Sequence, residues 1–192
     1  TDSYWDHITV KEKMENILIN NLDFPVITVT TFLPLAGALL ILFIRNEVWI
    51  KWLALATTVA TFIFSIPIYT HFDKATYKMQ FVEIHQWIPA WNINYKVGVD
   101  GISVLFIILV TILNILCVLV SWKAIQSKTK AFFVSLLVME TAMMGVFVSL
   151  NIFLFYLFWE LTLIPMFLLI GIWGGSNRIY ATIKFALFTL AG

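Results

Sequence analysis

The sequence predicts an all-α integral membrane protein. It reads as a polytopic bundle of five full transmembrane helices and a truncated sixth, with a short hairpin-like outer segment. Three observations carry this. The 192 residues are 61% hydrophobic and only 12% charged, whereas soluble domains run near 45–50% apolar and about 25% charged. Mean hydropathy is +0.93. Apolar runs of roughly 18–24 residues also recur, each long enough at 1.5 Å per residue to cross a hydrocarbon core of about 30 Å.

The first run extends from about Val26 to Ile44 and is ended by Arg45. A short link, Asn46 to Lys51, leads to a second from about Trp52 to Tyr69. The stretch Thr70 to Asp100 is the longest non-membrane segment. Around Pro89 and Gly98 it partly alternates apolar and polar residues, which predicts short strands or a hairpin at the membrane surface. A third span follows at about Ile102–Val120, opened by Asp100, a carboxylate suited to cap a helix N-terminus. The fourth runs from about Phe132 to Ser149 and the fifth from Leu150 to Trp173. After the Gly174–Gly175 turn a sixth begins near Ile179, and only about 14 residues of it precede Gly192, too few to cross. Pro34 and Pro67 mark expected bends.

This divides the chain into an N-terminal extension and outer segment (1–25), three helices with the outer loop 70–100 (26–131), and the start of a second helical unit (132–192). Residues 1–13 are polar and aperiodic, and Met14 is the first plausible initiator. The extension is expected to be disordered, artefactual or a cap on a neighbouring subunit. No cleavable signal peptide is recognisable, and the chain reads as the front part of a longer protein.

Arg45, Lys51, Lys123, Lys128, Lys130 and Arg178 gather at one end of the predicted bundle. The positive-inside rule makes that end cytoplasmic, or matrix-facing in a mitochondrion, and places the N-terminus outside. Trp49, Trp52, Trp122 and Trp173 fall at the same boundary, as an aromatic belt requires.

Several function classes are excluded by composition. A net charge of +1 with dispersed basic residues argues against nucleic acid. The single cysteine, Cys117, makes neither an internal disulfide nor a thiolate cluster and reads as a small buried hydrophobe. His7, His71 and His85 lack metal-ligand spacing. The two glycines at 174–175 are not part of a phosphate loop, and Met139, Met143 and Met144 read as packing. With no nucleophile triad or dinucleotide fingerprint, redox chemistry has no home on this chain.

What remains is a set of intramembrane charges. Glu160 lies near the middle of LNIFLFYLFWELTLIPMFLLIGIW, where an acid costs at least roughly 2.5–3.5 kcal/mol on insertion scales. Pro165 has no N–H for the Leu161 carbonyl, so a helix break with a free carbonyl is expected beside the acid. Glu140 and Glu160 lie about ten residues to either side of Leu150, which puts both roughly 15 Å from that turn in an antiparallel hairpin. Lys184 enters from the opposite end. A row of this kind favours proton handling, since desolvation protonates a carboxylate and a nearby lysine returns it to the anion. Each residue also has a plainer reading. Glu160 could sit against a structural lysine, Glu140 could hold helices together or pair with another subunit, and Lys184 could snorkel.

The run FFVSLLVMETAMMGVFVSLNIFLFYLFWELTLIPMFLLIGIWGG (132–175) and the upstream WIPAWNINYKVGVDGIS (87–103) closely resemble the antiporter-like subunits of respiratory complex I. The form FWELTLIPMFLLIGIWGG looks most like the M-type branch, whose mitochondrial relatives are the subunit 4 proteins. The resemblance implies a 14-helix fold with two inverted five-helix repeats. It also implies proton translocation coupled to electron transfer from NADH to quinone. By the same resemblance Glu160 matches a key fifth-helix glutamate, Glu140 a fourth-helix acid, and Lys184 a sixth-helix lysine. NADH, flavin, iron–sulfur clusters and quinone would be bound by partner subunits. The expected partners are L- and N-type neighbours and the lipid bilayer, in a bacterial inner membrane or its mitochondrial counterpart. Membrane-bound hydrogenases and multisubunit cation/proton antiporters share this core, and a non-functional truncated scaffold is a further alternative.

Overall fold

The computed structural model describes residues 18–19, 24–88 and 93–191. The expectations for residues 1–13, Met14, His7, Pro89 and Gly192 fall outside these. Six helices follow in order: α1 (Val26–Phe43), α2 (Glu47–Thr70), α3 (Gly101–Ala124), α4 (Thr129–Val148), α5 (Ile152–Trp173) and α6 (Arg178–Ala191). The first five are long and apolar enough to cross a membrane. Between α2 and α3 lies a hairpin of β2 (Met79–Ile88) and β3 (Ile93–Val99), with a two-residue strand β1 (Leu18–Ile19) parallel to β2. The architecture is the predicted helical membrane fold.

Boundaries differ from the sequence expectation where capping decides them. The second helix starts at Glu47 rather than near Trp52, because the Asn46 side chain accepts from the Val48 amide and satisfies its first turn. The link to α1 is correspondingly shorter. Asn151 does the same for α5 through Phe153 N–H, and Asp100 caps α3 by accepting from Ser103 N–H at 2.7 Å. Partial burial works against the Asp100 charge, but amide and hydroxyl donors at Ser103 and the Ile102 amide hold its pKa below the ordinary carboxylate value. All three internal prolines, Pro34, Pro67 and Pro165, lie within continuous helices. The helix break expected at Pro165 is therefore corrected: the ring removes one donor, and the surrounding bonds carry the helix through it.

The bundle is built from neighbours. α1 packs on α2 and α4, α3 on α2 and α4, and α5 bridges α4 and α6. Two glycines permit the closest approaches. A Cβ on Gly37 would run into Thr57 across α1–α2, and one on Gly145 into the Phe158 ring across α4–α5.

Two apolar clusters divide the interior. One, at the hairpin end, joins Val26, Ile27, Ile68, Phe81, Val97, Val104, Ile107, Met144, Val148 and Phe158. The other joins Ala38, Ile41, Ile50, Ala54, Val118, Phe133 and Leu137. At the second end, lysines engage the exposed carbonyls of helix C-termini: Lys130 Nζ donates to Leu42 O at 3.0 Å and Lys51 Nζ to Trp122 O at 2.7 Å. This is the pairing a helix dipole favours. The Trp52 and Trp122 rings meet edge to face at 5.2 Å at the same end.

The hairpin closes the first end. Phe81 adopts φ 53°, within a register shift between Gln80 and Glu83. That bulge turns four successive residues, Gln80 to Glu83, inward. On the other strand Leu150 N–H donates to Lys96 O at 3.0 Å, and Val97 bridges Ser149. The hairpin therefore holds the α4–α5 turn.

Candidate functional site

The three ionisable residues singled out from the sequence occupy different surroundings. Glu160 sits on α5, half-buried, and lines a groove of about 550 Å³ with Leu157, Leu161, Ile164 and Phe167 of α5 and Phe185 and Ala186 of α6. Tyr156 stands one turn earlier on the same helix, close enough for its phenol to feel the Glu160 carboxylate. The groove is otherwise apolar, so the carboxylate is its principal polar feature.

Glu140 is fully buried (0% exposed) in α4. Neither carboxylate oxygen has a hydrogen-bond partner. A lysine from another subunit does not reach a side chain so enclosed unless the helices part, which removes the simplest form of the intersubunit-pair reading.

Lys184 is exposed on α6. Its Nζ lies 5.7 Å from the Tyr180 ring centroid and 5.9 Å from that of Phe188, one turn to either side. The reason is rotational. Thr182 is buried against Gly171 of α5, and two residues further along a helix a side chain points roughly the opposite way. No hydrogen bond or ion pair among the described residues joins Glu140, Glu160 and Lys184, so the predicted row is not assembled by direct contacts here. Cys117, expected to be buried, is exposed on α3, because the inward stripe of α3 runs through Thr111, Asn114 and Val118. Among the described residues no three His, Cys, Asp or Glu side chains are placed to hold a metal.

Sequence reasoning missed a further carboxylate. Glu83 of β2, only 7% exposed, accepts from Ile27 N–H at 2.9 Å and Thr28 N–H at 3.2 Å. It also accepts from the Thr28 hydroxyl. That hydroxyl lies 2.9 Å from the Tyr95 phenol oxygen. α1 begins after Pro25, which offers no side-chain acceptor, so a residue more than fifty positions later caps it. Burial, with the Glu83 charge adding to it, raises the Tyr95 pKa against the opposing bond to Thr28. The signal in the sequence was negative: α1 opens without a Ser, Asp, Asn or Thr cap.

Comparison with known proteins places this arrangement. Residues 149–192, which contain Glu160 and Lys184, match the family described as NADH:quinone oxidoreductase/Mrp antiporter, transmembrane. Subunit M of NADH-quinone oxidoreductase from Rhodobacter capsulatus is 46% identical over 175 residues, covering 86% of this chain and 33% of that protein. Chain 4 of NADH-ubiquinone oxidoreductase from Arabidopsis thaliana is 42% identical over 162 residues, covering 83% and 33%. A chain of respiratory complex I from Thermus thermophilus with bound NADH shares the fold at TM-score 0.73 and 24% identity, covering 86% of this chain and 33% of that one. The chain thus spans about a third of the length of the relatives it matches. Over that span, it is similar to the M-type and chain 4 membrane subunits of NADH–quinone oxidoreductases.

Proposed function

We propose that this chain is part of a membrane-arm subunit that helps translocate protons as electrons pass from NADH to quinone. It would sit in a bacterial inner membrane, or the mitochondrial one, as a multi-pass protein with its N-terminus outside. The carrying observation is Glu160, a half-exposed carboxylate in an otherwise apolar groove of α5 and α6, within the segment that matches the family. An acid kept at membrane depth despite its insertion cost supports a role in charge movement. In this reading Glu160 holds and releases a proton as the charge facing the groove changes. Glu140 and Lys184 are assigned to the same route, although no hydrogen bond or ion pair joins either to Glu160 among the described residues, and Pro165 leaves a carbonyl near the acid. NADH, flavin, iron–sulfur clusters and quinone are held by partner subunits, with L- and N-type subunits as neighbours.

The test replaces Glu160 with Gln in the full-length subunit within its assembled complex. NADH–quinone turnover and proton uptake are then measured in sealed inverted vesicles. Loss of both with assembly intact is expected. Turnover and uptake at the wild-type level would make the carboxylate a packing residue.

A second reading, a cation/proton antiporter subunit, is favoured by one observation: the matching family's description names Mrp antiporters beside the quinone reductases. Sodium-dependent proton uptake in the same vesicles without NADH would favour it.

A further inference from the structure

The buried polar side chains of the first four helices are not scattered. Apart from Thr129 and Ser135 in the first turns of α4, they fall on each helix between its contributions to the two apolar clusters. On α1, Thr30 and Thr31 lie between Ile27 and Ala38. On α2, Thr57, Thr58, Thr61 and Ser65 lie between Ala54 and Ile68. Thr111 and Asn114 of α3 lie between Val110 and Val118, and Glu140 and Thr141 of α4 between Leu137 and Met144. The interior is therefore a polar layer sandwiched between two apolar ones.

Most of this layer is satisfied locally. Thr57, Thr58, Thr61, Thr111 and Asn114 donate to carbonyls of their own helices. Thr30 does the same and also reaches Phe64 O on α2 at 3.3 Å. The exceptions in the layer are Thr31 Oγ1, Thr141 Oγ1 and both oxygens of Glu140, all buried and unpartnered. They lie on α1 and α4, which pack against each other.

Leaving such groups unsatisfied costs roughly 1–3 kcal/mol each, and more for a charge. A protein partner from outside does not relieve Glu140, because the bundle encloses it completely. The small ligand that satisfies hydroxyls and a carboxyl together, as donor and acceptor at once, is water. Buried waters typically make two to four such bonds. We propose that α1 and α4 hold an internal water site in this layer, bound by Glu140, Thr31 and Thr141. The site gives Glu140 a proton-exchanging partner on the α1–α3 side of α4, separate from the groove of Glu160. It stands whether or not Glu160 translocates protons.

A high-resolution structure of the full-length protein in its native assembly tests this. Ordered water is expected within hydrogen-bond distance of Glu140, bridging it to the hydroxyl of Thr31 or Thr141. Both carboxyl oxygens bonded only to protein groups, or packed dry against carbon, would overturn the site. A Thr31→Val/Thr141→Val double variant removes both hydroxyls at nearly constant shape and should lose that density with the helices unmoved. Unchanged density in the variant would refute the assigned ligands.

Discussion

Glu140 and Glu160 are carboxylates on consecutive antiparallel helices, and the protein treats them in opposite ways. Glu140 is sealed inside α1–α4, so whatever satisfies it must be supplied from within that bundle. Glu160 faces a groove at the α5–α6 edge, where a group beyond this chain can meet it. The difference follows from packing. α4 has neighbours on several sides, whereas α5 touches α4 along one side and α6 along another, leaving much of its surface exposed. A buried acid is a cost that the surrounding helices must offset, while an edge acid is open to regulation by what approaches it.

The largest effect should come from breaking the seam between the two regions. Gly145→Val places side-chain atoms where the Phe158 ring lies, and a helix backbone cannot retreat without opening the α4–α5 contact. A loss of about 3 kcal/mol is expected, near the upper end for overpacking. It would be seen as a lowered melting temperature in detergent and reduced assembly, whereas a melting temperature equal to wild type would mean that the helices are not locked at this point.

Next is the hairpin that closes the bundle. Glu83→Ala removes the acceptor of two α1 amides and leaves them in a buried place, at a cost of about 2 kcal/mol. Hydrogen exchange should quicken at Ile27 and Thr28 and along the hairpin, with residues near Lys51 and Trp122 unaffected. With the anion gone, the Tyr95 phenol should also titrate lower than in the wild type, since the Glu83 charge contributes to its upward displacement.

The two acids themselves sharpen the comparison. Glu140→Leu exchanges a carboxyl without a protein hydrogen-bond partner for a hydrocarbon of similar size. It should stabilise the bundle by about 1–2 kcal/mol, the usual outcome when a costly buried polar group is replaced. Glu160→Leu on the groove face should change stability by less than about 0.5 kcal/mol, as at exposed positions. Paired thermal melts read both, and equal shifts would erase the distinction drawn between bundle and edge.

Much of this was legible before the structure. Length and hydropathy give the five spans, because a bilayer sets a minimum run, and the partial alternation around Gly98 gives the hairpin. The carboxylates announce themselves by standing in apolar runs. Their surroundings do not. Whether Glu140 or Glu160 is enclosed depends on which helices pack around each, and spans this uniformly apolar carry little record of which face turns inward. Lys184 illustrates the point, since its rotation away from the groove follows from Thr182 meeting Gly171. The cap from Glu83 was hidden because it joins residues far apart through a bulge at Phe81. The polar layer, by contrast, was available as Thr and Ser positions on each helix, but its meaning depends on aligning four helices in space.

The smallest expected effect separates the ends of the molecule by charge alone. Asp100 caps α3 at the hairpin end, and its pKa lies below the ordinary carboxylate value in the folded protein. A group lowered on folding binds its proton more readily when unfolded, near pH 3.9 for a free aspartate. Its contribution is therefore complete above that value and fades as the pH falls through the lower, folded one. Asp100→Asn keeps an oxygen for the Ser103 amide but loses the charge that favours a helix N-terminus, so about 0.5 kcal/mol should disappear at neutral pH. The stability difference between wild type and variant should then shrink as the solution is acidified below about pH 4. A difference constant with pH would assign the cap to geometry instead of charge. Glu140, enclosed in the bundle and away from this surface, should leave that difference unchanged when replaced by Leu, because independent sites add.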